Sequence, residues 1–149
     1  MPKSSFIMLK PDALKAHLET DILKYFTDAK MRIVRSKTVL VNEPLILAHY
    51  QEVIERLNLP DFPNRIKKEF VGHEVKIYEL ESDNNDIVAQ VRSIVGPTDP
   101  AKADPSTIRG HFGSDTMERS LAEKRLLRNL IHASDSDENA KKEIELWFK

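Results

Sequence analysis

The residues with the clearest potential for chemistry form the stretch Asn129-Leu-Ile-His-Ala-Ser-Asp-Ser136. Its apolar first half predicts a strand over residues 127–131 that stops just before His132. Its second half is rich in N-cap residues and predicts a helix, with Asp135 and Glu138 at the spacing of a capping box. An anion at this turn would meet free backbone N–H groups and the positive end of the helix dipole.

The predicted helix after this turn places a carboxylate beside the imidazole. Its buried face has helical spacing and consists of Ala140, Ile144, Trp147 and Phe148. Glu143 borders that face, where its carboxylate would accept a hydrogen bond from one nitrogen of His132 and leave the other nitrogen as a nucleophile. The local sequence leaves a second interpretation open, in which His132 is a buried ring satisfied by a backbone carbonyl.

Composition excludes several kinds of site. The chain has 149 residues, enough for one domain, and its formal net charge of -1 gives no general attraction to nucleic acid or membranes. Any phosphate recognition must therefore be local. The absence of cysteine excludes disulfides, thiolate zinc sites and a cysteine nucleophile. The apolar run Phe6 to Leu9 is too short for a signal peptide or a membrane span, so the expected location is the cytoplasm.

Hydrophobic periodicity predicts strands and helices in the order β-α-β-α-α-β-α before residue 96. The predicted strands are residues 6–9, 31–41 and 73–80. The predicted helices are residues 12–26, 45–57, 64–70 and 87–95. Asn42 is expected to cap the second of these helices, and a residue within 83–85 is expected to cap the fourth.

Residues 96–113 hold three of the four glycines and three of the eight prolines, which predicts a long ordered loop with a function. After this loop, Asp115 with Glu118 has the spacing to cap a short helix that packs through Met117 and Leu121.

Four stretches together resemble the nucleoside diphosphate kinase family in both order and content. They are Phe6-Ile-Met-Leu-Lys10-Pro-Asp-Ala13, Gly96-Pro-Thr-Asp-Pro100, Ser106-Thr-Ile-Arg109-Gly-His-Phe112 and Asn129 to Ser136. The resemblance covers nearly the whole chain and implies an α/β (α+β) ferredoxin-like sandwich, with a four-stranded antiparallel sheet covered by helices. It implies a single domain over residues 1–149, with an active-site loop at 96–113. The connection after this loop is longer than is usual in the family, and segment 114–128 is predicted to be an inserted, helical segment.

The activity that this resemblance implies is transfer of the terminal phosphate of a nucleoside triphosphate to a nucleoside diphosphate. The phosphate would pass through a phosphohistidine on His132, in a ping-pong cycle, with Glu143 orienting the ring and Ser134 as a hydrogen-bonding neighbour. Magnesium would arrive on the nucleotide phosphates, so no protein metal site is expected. The alternative is a catalytically silent nucleotide-binding or scaffold domain, because a fold does not guarantee chemistry.

The resemblance also implies a set of nucleotide-binding residues. Lys10 would reach the sugar hydroxyl and the phosphates, and Asn129 would contact the ribose. The other matching positions are Tyr50 lining the site, Arg92, Thr98 and Arg109 around the phosphates, and Phe62 against the base. Arginine forks suit phosphate oxygens, and phosphoryl transfer depends chiefly on positioning and charge.

Some positions depart from the family pattern. Ser106 and His111 stand where the family has glycine and aspartate, and Asp61 stands near the place of the base-stacking phenylalanine. The remaining histidines, His17, His49 and His73, are expected on the surface or in packing.

A homo-oligomer is expected from the family resemblance, as a tetramer or hexamer. Apolar residues on the early strands would supply its contacts, namely Leu9, Ile33, Val39 and Leu40. No membrane contact and no specific nucleic-acid partner are expected, because the sequence lacks a basic stripe.

Overall fold

A computed structural model describes residues 3–83 and 85–148, and in this part of the chain it contains a four-stranded antiparallel sheet. The strands are β1 (Lys3–Leu9), β2 (Arg32–Leu40), β3 (Glu74–Ser82) and β4 (Ile131–Ala133). Their order across the sheet is β2-β3-β1-β4. This is the order of the ferredoxin-like fold, and it confirms the predicted fold class.

Helices cover both faces of the sheet. They are α1 (Pro11–Lys15), α2 (Glu19–Asp28), α3 (Glu43–His49), α4 (Gln51–Leu57), α5 (Phe62–Phe70), α6 (Ile87–Val95), α7 (Ile108–Phe112), α8 (Met117–Ala122) and α9 (Asp137–Trp147), with a 3-10 turn at Pro100–Lys102. Within the described residues, none of these helices is long and apolar enough to cross a membrane.

The central strand β1 is apolar on both faces, which is why it separates two cores. Successive side chains of a strand point to opposite faces. Ile7 and Leu9 pack into one core with α1, α2 and α6, whereas Phe6 and Met8 pack into the other with α3, α5 and α9. The pairing of β1 with β3 and β4 gives its C-terminal end a fixed position, since Met8 lies opposite His132 and Leu9 opposite Ile131.

Two helices predicted as continuous are each interrupted in the structure. The first helix breaks between α1 and α2, where His17 has a φ of +58° in the left-handed region. The second breaks at Tyr50, which lies between α3 and α4. Asn42 caps α3 as predicted, because its side chain accepts a hydrogen bond from the backbone N–H of Leu45. The N-cap of α6 is Asp86, whereas the sequence predicted a cap within residues 83–85. Residue 84 of that range lies outside the described residues.

The predicted strand over residues 127–131 is wrong, because β4 begins only at Ile131 and His132 lies inside it. The predicted capping box is also wrong. Ser136, rather than Asp135, caps α9 by accepting a hydrogen bond from the backbone N–H of Asn139. The carboxylate of Asp135 instead accepts a hydrogen bond from the side chain of Asn139.

Segment 114–128 contains helix α8, but its cap and its packing differ from the prediction. Thr116 caps the helix, while the carboxylate of Asp115 forms a paired contact with Arg125 at 2.7 and 2.9 Å. Met117 and Leu121, predicted to pack, are both exposed. The buried position of α8 is Ser120, whose hydroxyl donates a hydrogen bond to the carbonyl of Met117.

Candidate active site

The backbone just before His132 has a strained turn that sets the direction of β4. The N–H of Ile131 donates to the carbonyl of Asn129 at 2.8 Å, across Leu130, whose φ is +74°. This is a γ-turn of the uncommon positive-φ type, and such a conformation costs on the order of 1–3 kcal/mol. The start of α1 holds it in place. The carboxylate of Asp12 accepts from the N–H of Leu130 at 3.0 Å, and the carbonyl of Leu130 accepts from the N–H of Lys10 at 2.8 Å.

The ring of His132 has one nitrogen engaged and one available. Its Nε2 lies 2.9 Å from Oε1 of Glu143, which is on α9. The hydroxyl of Ser134 donates to the same oxygen at 2.6 Å, and the N–H of Ser134 donates to the carbonyl of Phe6 at 3.1 Å. A carboxylate at Nε2 favours the tautomer with its proton there, which leaves the Nδ1 lone pair free to attack an electrophile.

Segment 96–113, predicted as a long loop, contains the 3-10 turn and α7, so that prediction is wrong for these residues. A chain of hydrogen bonds joins the lysine at the end of β1 to this segment. Nζ of Lys10 donates to Oδ1 of Asn129 at 2.7 Å, and Nδ2 of Asn129 donates to the carbonyl of Thr98 at 2.9 Å. Burial, followed by the positive charge of Arg109, lowers the pKa of Lys10 to about 8. An anion bound next to this ammonium group would favour its charged form.

Arg109 links the same loop to β4 through backbone carbonyls. Its guanidinium donates to the carbonyls of Asn129 at 3.2 Å, Gly96 at 3.1 Å and Ile131 at 2.5 Å. Burial lowers its pKa to about 10. Because these three acceptors are neutral carbonyls, the positive charge of Arg109 remains available to an anion.

Two of the remaining predicted site residues line a cavity with His132, whereas Phe62 does not line it. Tyr50 and Arg92 line a cavity of about 530 Å³ together with His132 and Glu143. Burial, followed by the charge of Glu143, raises the pKa of Tyr50, so its phenol stays a hydrogen-bond donor. Phe62 begins α5 and packs against the core that contains Phe6 and Met8.

The departures from the family pattern do not distort the loop. Ser106 has no positive φ, so its backbone conformation does not require the glycine that the family has there. Its hydroxyl and N–H both donate to the carboxylate of Asp104. His111 is exposed, with its ring 4.4 Å from that of Phe112. Asp61 is exposed and pairs with Arg65 at 2.9 Å.

His49 is the neighbour of the site that the sequence motifs did not identify. Its ring centroid lies 4.5 Å from that of His132, at an interplanar angle of 77°. Its Nδ1 accepts a hydrogen bond from Nε1 of Trp147 at 2.9 Å. Two features of the sequence could have drawn attention to this neighbour: His49 immediately precedes Tyr50, and Trp147 follows Glu143 by four residues. Neither feature predicts that His49 contacts Trp147 or His132.

Among the described residues, the set that could hold a metal ion is His49, His132 and Glu143, with ligand atoms within 4.8 Å of one another. This set is rich in nitrogen, whereas Mg²⁺ requires a near-octahedral shell of oxygens. The cluster therefore does not fit a resident magnesium site.

Comparison with known proteins gives one consistent result. The family model described as nucleoside diphosphate kinase matches residues 3–149. A nucleoside diphosphate kinase from Methanosphaera stadtmanae is 36% identical over 148 residues, which are 99% of this chain and 87% of that protein. One from Methanothermobacter thermautotrophicus is 37% identical over 146 residues, covering 98% of this chain and 87% of that protein.

Solved structures agree with the sequence comparisons. A transition-state mimic of nucleoside diphosphate kinase from Borrelia burgdorferi, with bound vanadate and ADP, has a TM-score of 0.92 and 28% identity, covering 99% of this chain and 88% of that chain. An NDP kinase from Pyrobaculum aerophilum has a TM-score of 0.88 and 27% identity, covering 100% of this chain and 97% of that chain.

Proposed function

This chain belongs to the nucleoside diphosphate kinase family, and from that premise we propose that His132 is the nucleophile of its reaction. The protein is an enzyme that transfers the terminal phosphate of a nucleoside triphosphate to a nucleoside diphosphate. The silent-scaffold alternative is not favoured by the comparisons. The observation that carries the proposal for His132 is its 2.9 Å contact from Nε2 to Glu143, which leaves Nδ1 free.

The reaction divides into two displacements at the same nitrogen. In the first, Nδ1 of His132 forms a bond to the terminal phosphorus, while the bond from that phosphorus to its bridging oxygen breaks and a nucleoside diphosphate leaves. In the second, a terminal oxygen of another nucleoside diphosphate attacks the phosphohistidine and the N–P bond breaks. Glu143 accepts the hydrogen bond from Nε2–H throughout and stabilises the positive charge that develops on the ring. Ser134 holds the carboxylate in place from the other side.

Charge on the transferring phosphoryl group is neutralised by buried cations. Lys10 and Arg109 supply this charge close to β4, and both are held by hydrogen bonds to Asn129. Arg92, Thr98 and the phenol of Tyr50 complete the contacts to the phosphates from the cavity side. These groups act as preorganised donors, which is the largest contribution in many phosphoryl transfers.

Magnesium enters as part of the substrate. The described residues offer no oxygen-rich cage for it, so the phosphates and water supply most of its ligands. The nucleotide base stacks on Phe62, and Lys10 and Asn129 bind sugar hydroxyls. Stacking depends little on the hydrogen-bond pattern of a base, so the enzyme accepts several bases. The cytoplasmic location stays a prediction from the sequence.

The edge strand β2 supports a homo-oligomer, either a tetramer or a hexamer. Ile33 and Leu40 on this strand are 40% and 65% exposed, and among the strands in the described part of the chain none pairs with the outer edge of β2. An exposed apolar edge strand favours association with a second copy. Leu9, predicted to contribute, is buried inside the subunit and does not, and Val39 is partly buried against the core that contains Phe6 and Met8. Light scattering after size exclusion should give a mass of several subunits at micromolar concentration, and a monomeric mass would contradict the proposal.

The function is tested by exposing the protein to labelled ATP with magnesium. We expect a phosphoprotein that is labile in acid and stable in alkali, which is characteristic of phosphohistidine. Addition of an unlabelled nucleoside diphosphate should then remove the label as labelled triphosphate. Label that is stable in acid would place the phosphate on a hydroxyl and exclude His132.

A further inference from the structure

His49 holds a buried hydrogen-bond donor for which the described residues give no acceptor. Its Nδ1 accepts the indole N–H of Trp147 at 2.9 Å. A neutral imidazole has one donor and one acceptor nitrogen, so the proton of His49 is on Nε2. That atom is buried and has no hydrogen-bond partner in the described part of the chain. A buried donor without an acceptor is destabilising, so an acceptor atom on a bound molecule would stabilise this N–H group.

The surroundings of His49 keep its ring neutral. Burial lowers its pKa well below the usual value of 6.5, and the charges of His132 and Lys10 act in the same direction. Phe6 packs against His49 and His132, with ring centroids at 6.3 and 6.0 Å. The ring therefore keeps the tautomer that Trp147 selects.

A metal ligand is the other role that this geometry suggests, since His49, His132 and Glu143 lie close together. A metal at Nε2 of His49 would need the lone pair of that nitrogen, while Nδ1 is already the acceptor for Trp147. The ring would then have to lose both protons, which a neutral imidazole resists. The tautomer therefore favours a donor over a metal ligand.

We propose that His49 donates its Nε2–H to an oxygen of the phosphoryl group carried by His132, and that Trp147 is the positioning residue that fixes this tautomer. The inference rests on the proposed phosphohistidine. A phosphoryl group on the His132 ring presents strong acceptor oxygens next to the His49 ring, whose centroid is 4.5 Å away. Glu143 and Trp147 both lie on α9, so one helix orients both imidazoles.

The single tryptophan gives a direct measurement on the wild-type protein. In a ¹H–¹⁵N spectrum, its one indole N–H resonance reports the hydrogen bond to His49. When Nε2–H donates to an anion, the ring becomes more polarised and Nδ1 becomes a stronger acceptor. We expect the resonance to move downfield when the protein is phosphorylated with ATP and magnesium. An unmoved resonance in phosphorylated protein would overturn the proposal, whereas protein that takes up no phosphate would overturn the proposed function itself.

Variants of His49 separate donation from packing. His49→Phe keeps a ring and removes the donor, and His49→Gln restores a donor. We expect His49→Phe to slow phosphoryl transfer on the order of 10²-fold, as for the loss of one preorganised donor, with the nucleotide dissociation constant unchanged. His49→Gln should recover part of the rate. His73→Phe makes the same change of residue type at another histidine and serves as the matched control. A folded His49→Phe with the wild-type rate would overturn the proposal. If His49→Phe shows no thermal unfolding transition, the variant is not folded, and the indole measurement on the wild-type protein then tests the proposal.

Discussion

The region around His132 and the segment 114–128 are held in place by different kinds of contact. Around His132, hydrogen bonds join residues far apart in the chain, such as Ser134 to Phe6. Within segment 114–128, the ion pairs of residues 115–125 stay inside that stretch, the closest joining Asp115 to Arg125, and Met117 and Leu121 are exposed. The end of the segment is tied to the rest of the molecule, because Arg128 pairs with Glu69 and Leu127 is buried. Contacts between distant elements fix a ring to the accuracy that catalysis requires, whereas contacts within one segment maintain only its own shape.

The largest expected effect lies at the centre of the first region. His132→Gln should abolish phosphoenzyme formation and turnover, because glutamine has no nucleophilic nitrogen to accept and return the phosphoryl group. The fold should remain, since the exchange preserves a polar side chain in β4. Labelling with ATP and a thermal melt check both expectations, with His17→Gln as the matched control. Substantial turnover in folded His132→Gln would show that the region around His132 does not supply the nucleophile.

The next effect concerns Lys10 and Arg109, the cations near the proposed nucleophile. Lys10→Ala and Arg109→Ala should each lower turnover on the order of 10²-fold or more, as for groups that stabilise transferring charge. Arg109→Ala should also lower the melting temperature, because three backbone carbonyls lose a donor. Steady-state kinetics and calorimetry measure the two changes. Wild-type rates in both variants would mean that neither residue serves the phosphates.

A smaller effect is expected from the other region. Deleting residues 116–124 and closing the gap with a short glycine linker should weaken nucleotide binding or stability, while phosphohistidine formation remains detectable. The segment is attached at both ends to the site, through the loop at 96–113 and through β4, but it provides no group to the cluster around His132. Loss of phosphorylation in a folded deletion variant would show that the segment has a chemical role.

The smallest effect concerns the ion pair within that segment. Hydrogen bonds from Arg125 hold the pKa of Asp115 below its usual range. A depressed pKa in the folded state stabilises the protein above the ordinary pKa of aspartate, near 4, and the stabilisation is lost as pH falls below it. Wild-type protein should therefore lose more thermal stability than Asp115→Asn between about pH 5 and pH 2. Parallel pH profiles for the two proteins would show that the pair contributes nothing to folding.

Local sequence patterns predicted the features that depend on neighbouring residues. The buried strand at Phe6 to Leu9 and the cap at Asn42 are in the structure as predicted. The pairing of His132 with Glu143 also followed from helical spacing, with the backbone alternative left open. The interruption at Tyr50 was not predicted, since both halves keep one hydrophobic period.

The sequence alone determined the continuous apolar run in β1, the type of each side chain in the site and the family to which the chain belongs. The tertiary structure alone decided the strained turn at Leu130, the tautomer of His49 and the carbonyl contacts of Arg109. Periodicity and capping act over a few residues along the chain. The turn at Leu130 instead depends on Asp12, and the ring of His49 on Trp147, which are brought close only when the helices pack on the sheet.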